Sequence, residues 1–378
     1  MSLVLNEDQK MVQESASAFC QEQVPVSVMR RLRDDKDATG YDKDLWAKMV
    51  ELGWTGMAIP EAYGGFGFGY GGLAVVLEET GKTLVNSPLI STVLLSATAV
   101  NEAGTETQKE TLLPAIASGE LVIAFAIDEK PVHAPALTAL SAKASGDGFT
   151  LNGEKVMVLD GHVADKIIVV TRTTEGDNEL GMFIVDANAP GVDIQRLHMV
   201  DNRNNAKVTF SNVSVTADQV LNGVDNTGEA IEKTLDIARL GIAAEMLGSM
   251  QQVFETTVQY LKDRTQFGVA IGSFQALQHR TSIMYSDIEL CRSMVRRGFE
   301  ALDENEPAEK IAQLASAAKA KVSDTMFLVS NEGVQMHGGI GMTDEFDIGF
   351  YLKRARVAQH FLGNASFHRD RYATLKGF

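Results

Sequence analysis

Apolar and polar positions change period twice along the chain, and the two changes divide it into three zones. From residue 1 to 120 the spacing is helical. Asn6 followed by Gln9 reads as a capping box, and Met11, Val12, Ala16 and Phe19 behind it make one apolar face. A second helix carries Leu45, Trp46, Met49 and Val50 on one side and stops at Gly53. A glycine-rich stretch follows, from Pro60 through Gly64, Gly65, Gly67, Gly69 and Gly71. No strand precedes it, so its spacing predicts a plain turn and not a dinucleotide loop.

From 121 to 222 the pattern is that of strands. Leu121 to Ile127 is one run. Phe149-Thr150-Leu151 and Lys155 to Val158 flank Asn152-Gly153, a pair that favours the positive φ angles of a tight turn, so a hairpin is expected there. Lys166 to Val170, Met182 to Val185 and Lys207 to Val215 follow. Five or six short strands point to a small barrel or sandwich.

From 223 to 378 the helical period returns in long elements. Ile231, Leu235, Met246, Met250, Val253, Phe254 and Leu261 share one stripe. Further helices are expected from Phe274 past Ile288, from Ile311 to about Gln335 with a stop at Gly338-Gly339, and from about Phe350 to His360. The expected fold class is α+β and multi-domain: an N-terminal helical domain (1–120), a middle β-barrel or sandwich (121–222) and a C-terminal four-helix bundle (223–378).

The charge balance removes several function classes. Lys and Arg number 34 against 50 Asp and Glu, a net charge of -16. Nucleic-acid binding is not expected, nor attraction to an anionic membrane. No stretch reaches the roughly 18 unbroken apolar residues of a membrane span. Cys20 and Cys291 are too few for a disulfide framework or a metal cluster, so both are expected as buried thiols in a reducing compartment. Met1 to Asn6 has no basic, secretory-type start. A cytoplasmic location is expected, or an organelle matrix after removal of a transit peptide.

Several phrases then fall in a telling order. They are Leu52-Gly53-Trp54, Ile59-Pro60-Glu61-Ala62-Tyr63-Gly64-Gly65, Glu78-Glu79-Thr80-Gly81-Lys82 and Leu112-Leu113-Pro114. Leu151-Asn152-Gly153-Glu154-Lys155, Asp263-Arg264-Thr265-Gln266-Phe267-Gly268, Phe274-Gln275 and Gln335-Met336-His337-Gly338-Gly339-Ile340-Gly341 complete them. Together the chain resembles the acyl-CoA dehydrogenase family nearly end to end. The resemblance implies FAD as cofactor, an acyl-CoA thioester as substrate, and α,β-dehydrogenation with a carboxylate taking the α-proton. It also implies electron transfer to an electron-transfer flavoprotein.

The same resemblance assigns site residues. Arg264, Gln266, Phe267, Gln275, Gln335, Gly338 and Gly339 match positions that hold the adenosine-diphosphate arm of FAD, which in this family belongs to a neighbouring subunit. The flavin-ring cradle departs from the pattern. Asp128-Glu129-Lys130 stands where Thr-Glu-Pro is usual, Met157-Val158-Leu159 replaces Trp-Ile-Thr, and Val132-His133-Ala134-Pro135 replaces the Gly-Ser-Asp segment. The base departs further. Its usual place, in a Tyr-Glu-Gly-Thr phrase, reads Phe361-Leu362-Gly363-Asn364, and the alternative place before Arg239 holds Ala238. Neither Leu362 nor Ala238 accepts a proton, so the catalytic base is unassigned; such a base is typically worth about 10²- to 10⁴-fold.

Three functional readings follow. In the first, the chain is one subunit of a heteromeric, tetrameric dehydrogenase like those acting on steroid side chains, and completes a partner's FAD site. In the second, it is a self-sufficient homo-oligomeric enzyme whose base has moved to Asp236, Glu245, Asp128 or Asp160. In the third, it binds acyl-CoA or serves as a scaffold without redox chemistry. His360, His368 and Arg369 read as an exposed polar helix face, and His337 as a packing residue.

Overall fold

The computed structural model describes residues 4–173 and 180–378. In chain order it runs helices, then sheet, then helices. The chain forms two compact units. One contains 1–31, 70–85 and 239–378; the other contains 32–69 and 86–238.

The second unit is built on one curled seven-stranded sheet. Its strands are β1 (Ile123–Ala126), β2 (Ser141–Ser145), β3 (Gly148–Leu159), β4 (Lys166–Thr173), β5 (Leu180–Asp186), β6 (Val192–His198) and β7 (Asn204–Thr216). The order is β1-β4-β2-β3-β7-β6, with β5 added on β4. Alternate residues of these strands, among them Leu151, Ile167, Val169, Phe183, Val208 and Val213, meet in one apolar core.

The hairpin expected at Asn152-Gly153 is not formed. Strand β3 runs straight through both residues, and the turn lies earlier, between Ser145 and Gly148. Gly153 instead marks a bulge: the β3–β7 register shifts between Leu151 and Gly153. A Cβ at Gly153 would come 2.8 Å from Leu140 Cγ, so the glycine answers a close approach. Strand β2, Ser-Ala-Lys-Ala-Ser, carries no apolar run, and β6 was missed although Val192-Asp193-Ile194-Gln195 alternates as a half-exposed strand does.

This unit also holds α3 (Lys43–Glu51), α5 (Ala97–Ala103), α6 (Glu106–Ala117) and a fully buried π-helical segment, Leu89–Ser96. The glycine-rich stretch at 60–69 is a turn, as expected, with Gly64, Gly67 and Gly69 at positive φ. Thr92 and Ser96 in the π-helical segment donate to the Ile123 carbonyl at 3.1 and 2.9 Å, seating it on β1.

The first unit packs α1 (Glu7–Gln23), α2 (Val26–Asp34) and α4 (Tyr70–Lys82) with α8 (Gln275–Asp303), α9 (Ala308–His337), α10 (Ile348–Ala358) and α11 (Ala365–Leu375). Asn6 and Gln9 close the expected capping box of α1. Helix α7 (Thr227–Asp263) is 37 residues long; its first part counts with the sheet unit and its remainder, from Arg239, with the helical unit. Helix α11 was anticipated only as a helix face at His368 and Arg369, without bounds. It has almost no amphipathic pattern, and Asn364 caps it by accepting from Phe367 N at 2.9 Å. No helix among the described residues is long and apolar enough to cross a membrane.

Candidate cofactor and base positions

The residues expected to hold a nucleotide arm lie at three neighbouring chain ends of the helical unit. Helix α7 ends at Asp263; Arg264 follows and leads into a two-stranded hairpin, Thr265–Gln266 paired with Val269–Ala270. Phe267 and Gly268 form its tip at φ 54° and 80°, the combination a two-residue primed turn requires. The Phe267 ring is 90% exposed yet sits edge-on to Phe274, 6.0 Å away, just before Gln275 opens α8. At the end of α9, Gln335, Gly338 and Gly339 are exposed, while His337 is buried.

Helices α7 and α9 are joined at these ends by an aromatic stack. The Tyr260 and His337 rings lie 4.4 Å apart, and the Tyr260 hydroxyl donates to the His337 carbonyl at 3.3 Å. Phe346 closes the other side of His337 at 4.8 Å. His337 is therefore a packing residue, and burial pushes its imidazole below the usual range.

These residues fit the diphosphate-bearing end of a flavin nucleotide. A Cβ built at Gly268, Gly338 or Gly339 meets nothing within 4 Å, so two backbone segments are bare for close approach. Arg264 is exposed and pairs with no carboxylate among the described residues.

In the sheet unit, the loop after β1 is self-contained. Asp128 accepts from His133 Nδ1 at 2.9 Å and from Ala134 N at 3.4 Å, so its carboxylate is engaged within its own loop. Glu129 accepts from Leu140 N at 2.8 Å and from Lys155 Nζ at 2.9 Å. Lys155 is fully buried and also donates to the Ile127 carbonyl. Leu159 is buried and presents no hydroxyl or amide where the family's Thr would stand. Met157 takes φ 55° at the second register break of β3.

The two base positions are both buried and apolar. Ala238 is inaccessible, and Leu362 is 2% exposed at φ 55°, followed by Gly363 at φ 106°. Among the proposed substitutes, Glu245 is held in a buried ion pair with Arg354 at 3.3 Å. Asp160 accepts from Ser91 Oγ at 2.6 Å deep in the sheet unit, and burial raises its carboxyl to about 6. Asp236 is buried on α7.

The C-terminal polar face read from the sequence needs correction. His360 and Arg369 are exposed, Arg369 pairing with Asp324, but His368 is wholly buried. Its Nε2 donates to the Leu362 carbonyl at 3.0 Å. Desolvation first, then Arg239 and Lys319, push its imidazole down to about 2, so it is neutral. Sequence reasoning also missed Lys319, an inaccessible lysine on α9. The signal was available: one lysine set among small buried residues, Ala315, Ser316, Ala318, Ala320 and Ser323.

Comparison with known proteins agrees with this architecture. Family models for the N-terminal, middle and C-terminal domains of acyl-CoA dehydrogenases match residues 6–120, 124–213 and 226–374. The chain is 31% identical to a probable acyl-CoA dehydrogenase, YngJ, of Bacillus subtilis, covering 98% of both. Its fold is similar to butyryl-CoA dehydrogenase from Megasphaera elsdenii (TM-score 0.91, 27% identity, all of both chains). It is also similar to a chain of a variant of the Tcur3481-Tcur3483 steroid ACAD (TM-score 0.88, 30% identity, 98% of both chains).

A three-part chain of this build is a flavin-dependent oxidoreductase acting on CH–CH groups. It belongs to the acyl-CoA dehydrogenase family.

Proposed function

We propose that this chain is a subunit of an FAD-dependent acyl-CoA dehydrogenase, lending its nucleotide-arm residues to a partner's cofactor and supplying little proton-abstraction chemistry of its own. The observation that carries this reading is the contrast between two sets of positions. Arg264, Gln266, Phe267, Gln275, Gln335, Gly338 and Gly339 are exposed, at positions that the resemblance assigns to the cofactor's arm. Ala238 and Leu362, where the family places its base, are apolar and buried. Bound FAD would supply the hydride acceptor; this chain's part is to grip the diphosphate and adenosine through Arg264 and the bare glycines.

The surface of α8 supports assembly with a second chain. Between 275 and 290 it exposes Ile283, Tyr285 and Leu290, and its two acids are each held by a cation, Asp287 by Lys321 and Glu289 by Arg292. In a chain of net charge -16, exposed apolar side chains beside neutralised acids suit an interface. The similar steroid ACAD is named for two components, Tcur3481 and Tcur3483, which suits a heteromeric assembly.

The engagement of Asp128, Glu245 and Asp160 weighs against a relocated base. The test is purification of the chain alone and together with a second acyl-CoA dehydrogenase chain from the same organism. Alone, the chain should carry substoichiometric flavin and no acyl-CoA dehydrogenation; together, flavin should fill and turnover appear. Full flavin occupancy with turnover from the lone chain would overturn the proposal.

A further inference from the structure

The turn between α10 and α11 is held from two sides. From α9, Lys319 Nζ donates to the carbonyls of Gly363 at 3.0 Å, Ala358 at 3.1 Å and Gln359 at 3.3 Å, and lies 3.3 Å from Ser323 Oγ. From α11, His368 Nε2 donates to the carbonyl of Leu362 at 3.0 Å. Both side chains are inaccessible to solvent. Four consecutive or near-consecutive carbonyls are thus committed to two buried donors.

Between these contacts Leu362 adopts φ 55°. A leucine gains nothing from the left-handed region and is strained there by its Cβ. The conformation is therefore imposed by the surroundings and not chosen by the residue. Gly363 fits the same account. Its φ is 106°, and a Cβ there would approach Phe367 Cδ1 to 2.5 Å and His368 Nε2 to 2.8 Å, displacing the imidazole from its carbonyl. The whole arrangement converges on position 362, whose present side chain makes no use of it.

We propose that Lys319 and His368 are a positioning pair that fixes the backbone at residue 362, so that this chain retains the built seat of a proton acceptor it no longer carries. The significance of position 362 rests on the functional reading above; the clamp itself does not. Lys319 supplies an Nζ donor that bundles the carbonyls ending α10 with that of Gly363, and His368 supplies one N–H to the carbonyl of Leu362. Neither touches a substrate in this role. Both act on what stands at 362.

The test is backbone amide exchange measured by mass spectrometry on the full-length chain, comparing wild type with His368→Ala, His368→Gln and Lys319→Met. Protection in peptides covering 359–364 should fall at least tenfold in His368→Ala and in Lys319→Met. It should return in His368→Gln, whose amide can donate to the same carbonyl. Peptides from β3 and β7 should keep wild-type exchange, which certifies a folded chain; should Lys319→Met fail that control, the two His368 variants decide. Unchanged protection at 359–364 in a folded His368→Ala protein, or equal loss in His368→Gln, would overturn the proposal. Exchange is read without flavin or substrate. A clamp that behaves as expected in a chain showing full turnover alone would therefore sink the functional reading and leave the clamp standing.

Discussion

Glu245 and Arg354 face each other in the helical unit with Oε1 and Nη1 3.3 Å apart, their side chains 3% and 2% exposed. The pair binds α7 to α10 and holds the Glu245 carboxylate on a guanidinium. Replacing one partner of a buried ion pair leaves the other uncompensated, at a typical cost of about 3–5 kcal/mol. Glu245→Gln should lower the unfolding free energy by that order in urea titrations, while any turnover supported by a partner chain persists in the folded fraction. Turnover lost with stability intact would instead mark Glu245 as the base.

Leu362 bears on the same question from the opposite direction. If position 362 is a retained seat, Leu362→Ala should leave partner-supported dehydrogenation within about twofold. Leu362→Glu should add a proton acceptor where none stands. In the assembled protein, exchange of the α-proton of an acyl-CoA with deuterated solvent should rise by about 10²-fold or more. The readout is independent of hydride transfer, so it separates proton abstraction from flavin reduction. No exchange above wild type from a correctly folded Leu362→Glu protein would contradict the assignment of the position.

How much of this was written in the sequence depends on the range of the interactions involved. The capping box at Asn6 and the stop at Gly338 are local, and local chemistry specifies them. Asn152-Gly153 misled because the same dipeptide serves a turn or a bulge. Leu140 and the β7 partner decide which, and both are far along the chain. The partners of Lys319 were hidden for the same reason, since its Nζ reaches carbonyls 39 to 44 positions along the chain, whereas His368 reaches back only six residues to Leu362. Helix α11 lacked the amphipathic stripe on which period-based reading relies.

Two glycines let α4 and α7 touch backbone to backbone. A Cβ at Gly81 would strike the carbonyl of Glu245, and one at Gly248 would strike that of Glu78. Ser249 Oγ donates to the Gly81 carbonyl at 2.8 Å across the same contact. In an exposed helix Gly→Ala is stabilising; here backbone would have to move. Gly248→Ala should destabilise by about 1–3 kcal/mol, the usual range for overpacking, and Gly81→Ala likewise. Thermal melts of the single variants check this, and a Gly248→Ala protein melting at or above wild type would refute the close-contact account.

Asp160 gives the chain a pH dependence of unusual sign for an acid. Its carboxyl is wholly buried, takes a hydrogen bond from Ser91, and titrates at about 6 because desolvation outweighs that bond and the nearby Asn204 and Arg203. An unfolded Asp titrates near 3.8. Between these values the folded chain binds more protons at this site than the unfolded one. By linkage, the site's contribution to stability falls as pH rises from about 3.8 to about 6, and stays low above. Asp160→Asn removes the ionisation and keeps an acceptor for Ser91. Relative to wild type it should gain on the order of 1–3 kcal/mol at pH 7, a gain that shrinks toward zero near pH 4. Parallel denaturant titrations at the two pH values decide it. A difference between variant and wild type that does not change with pH would mean that Asp160 enters the fold with the same proton affinity it has in water.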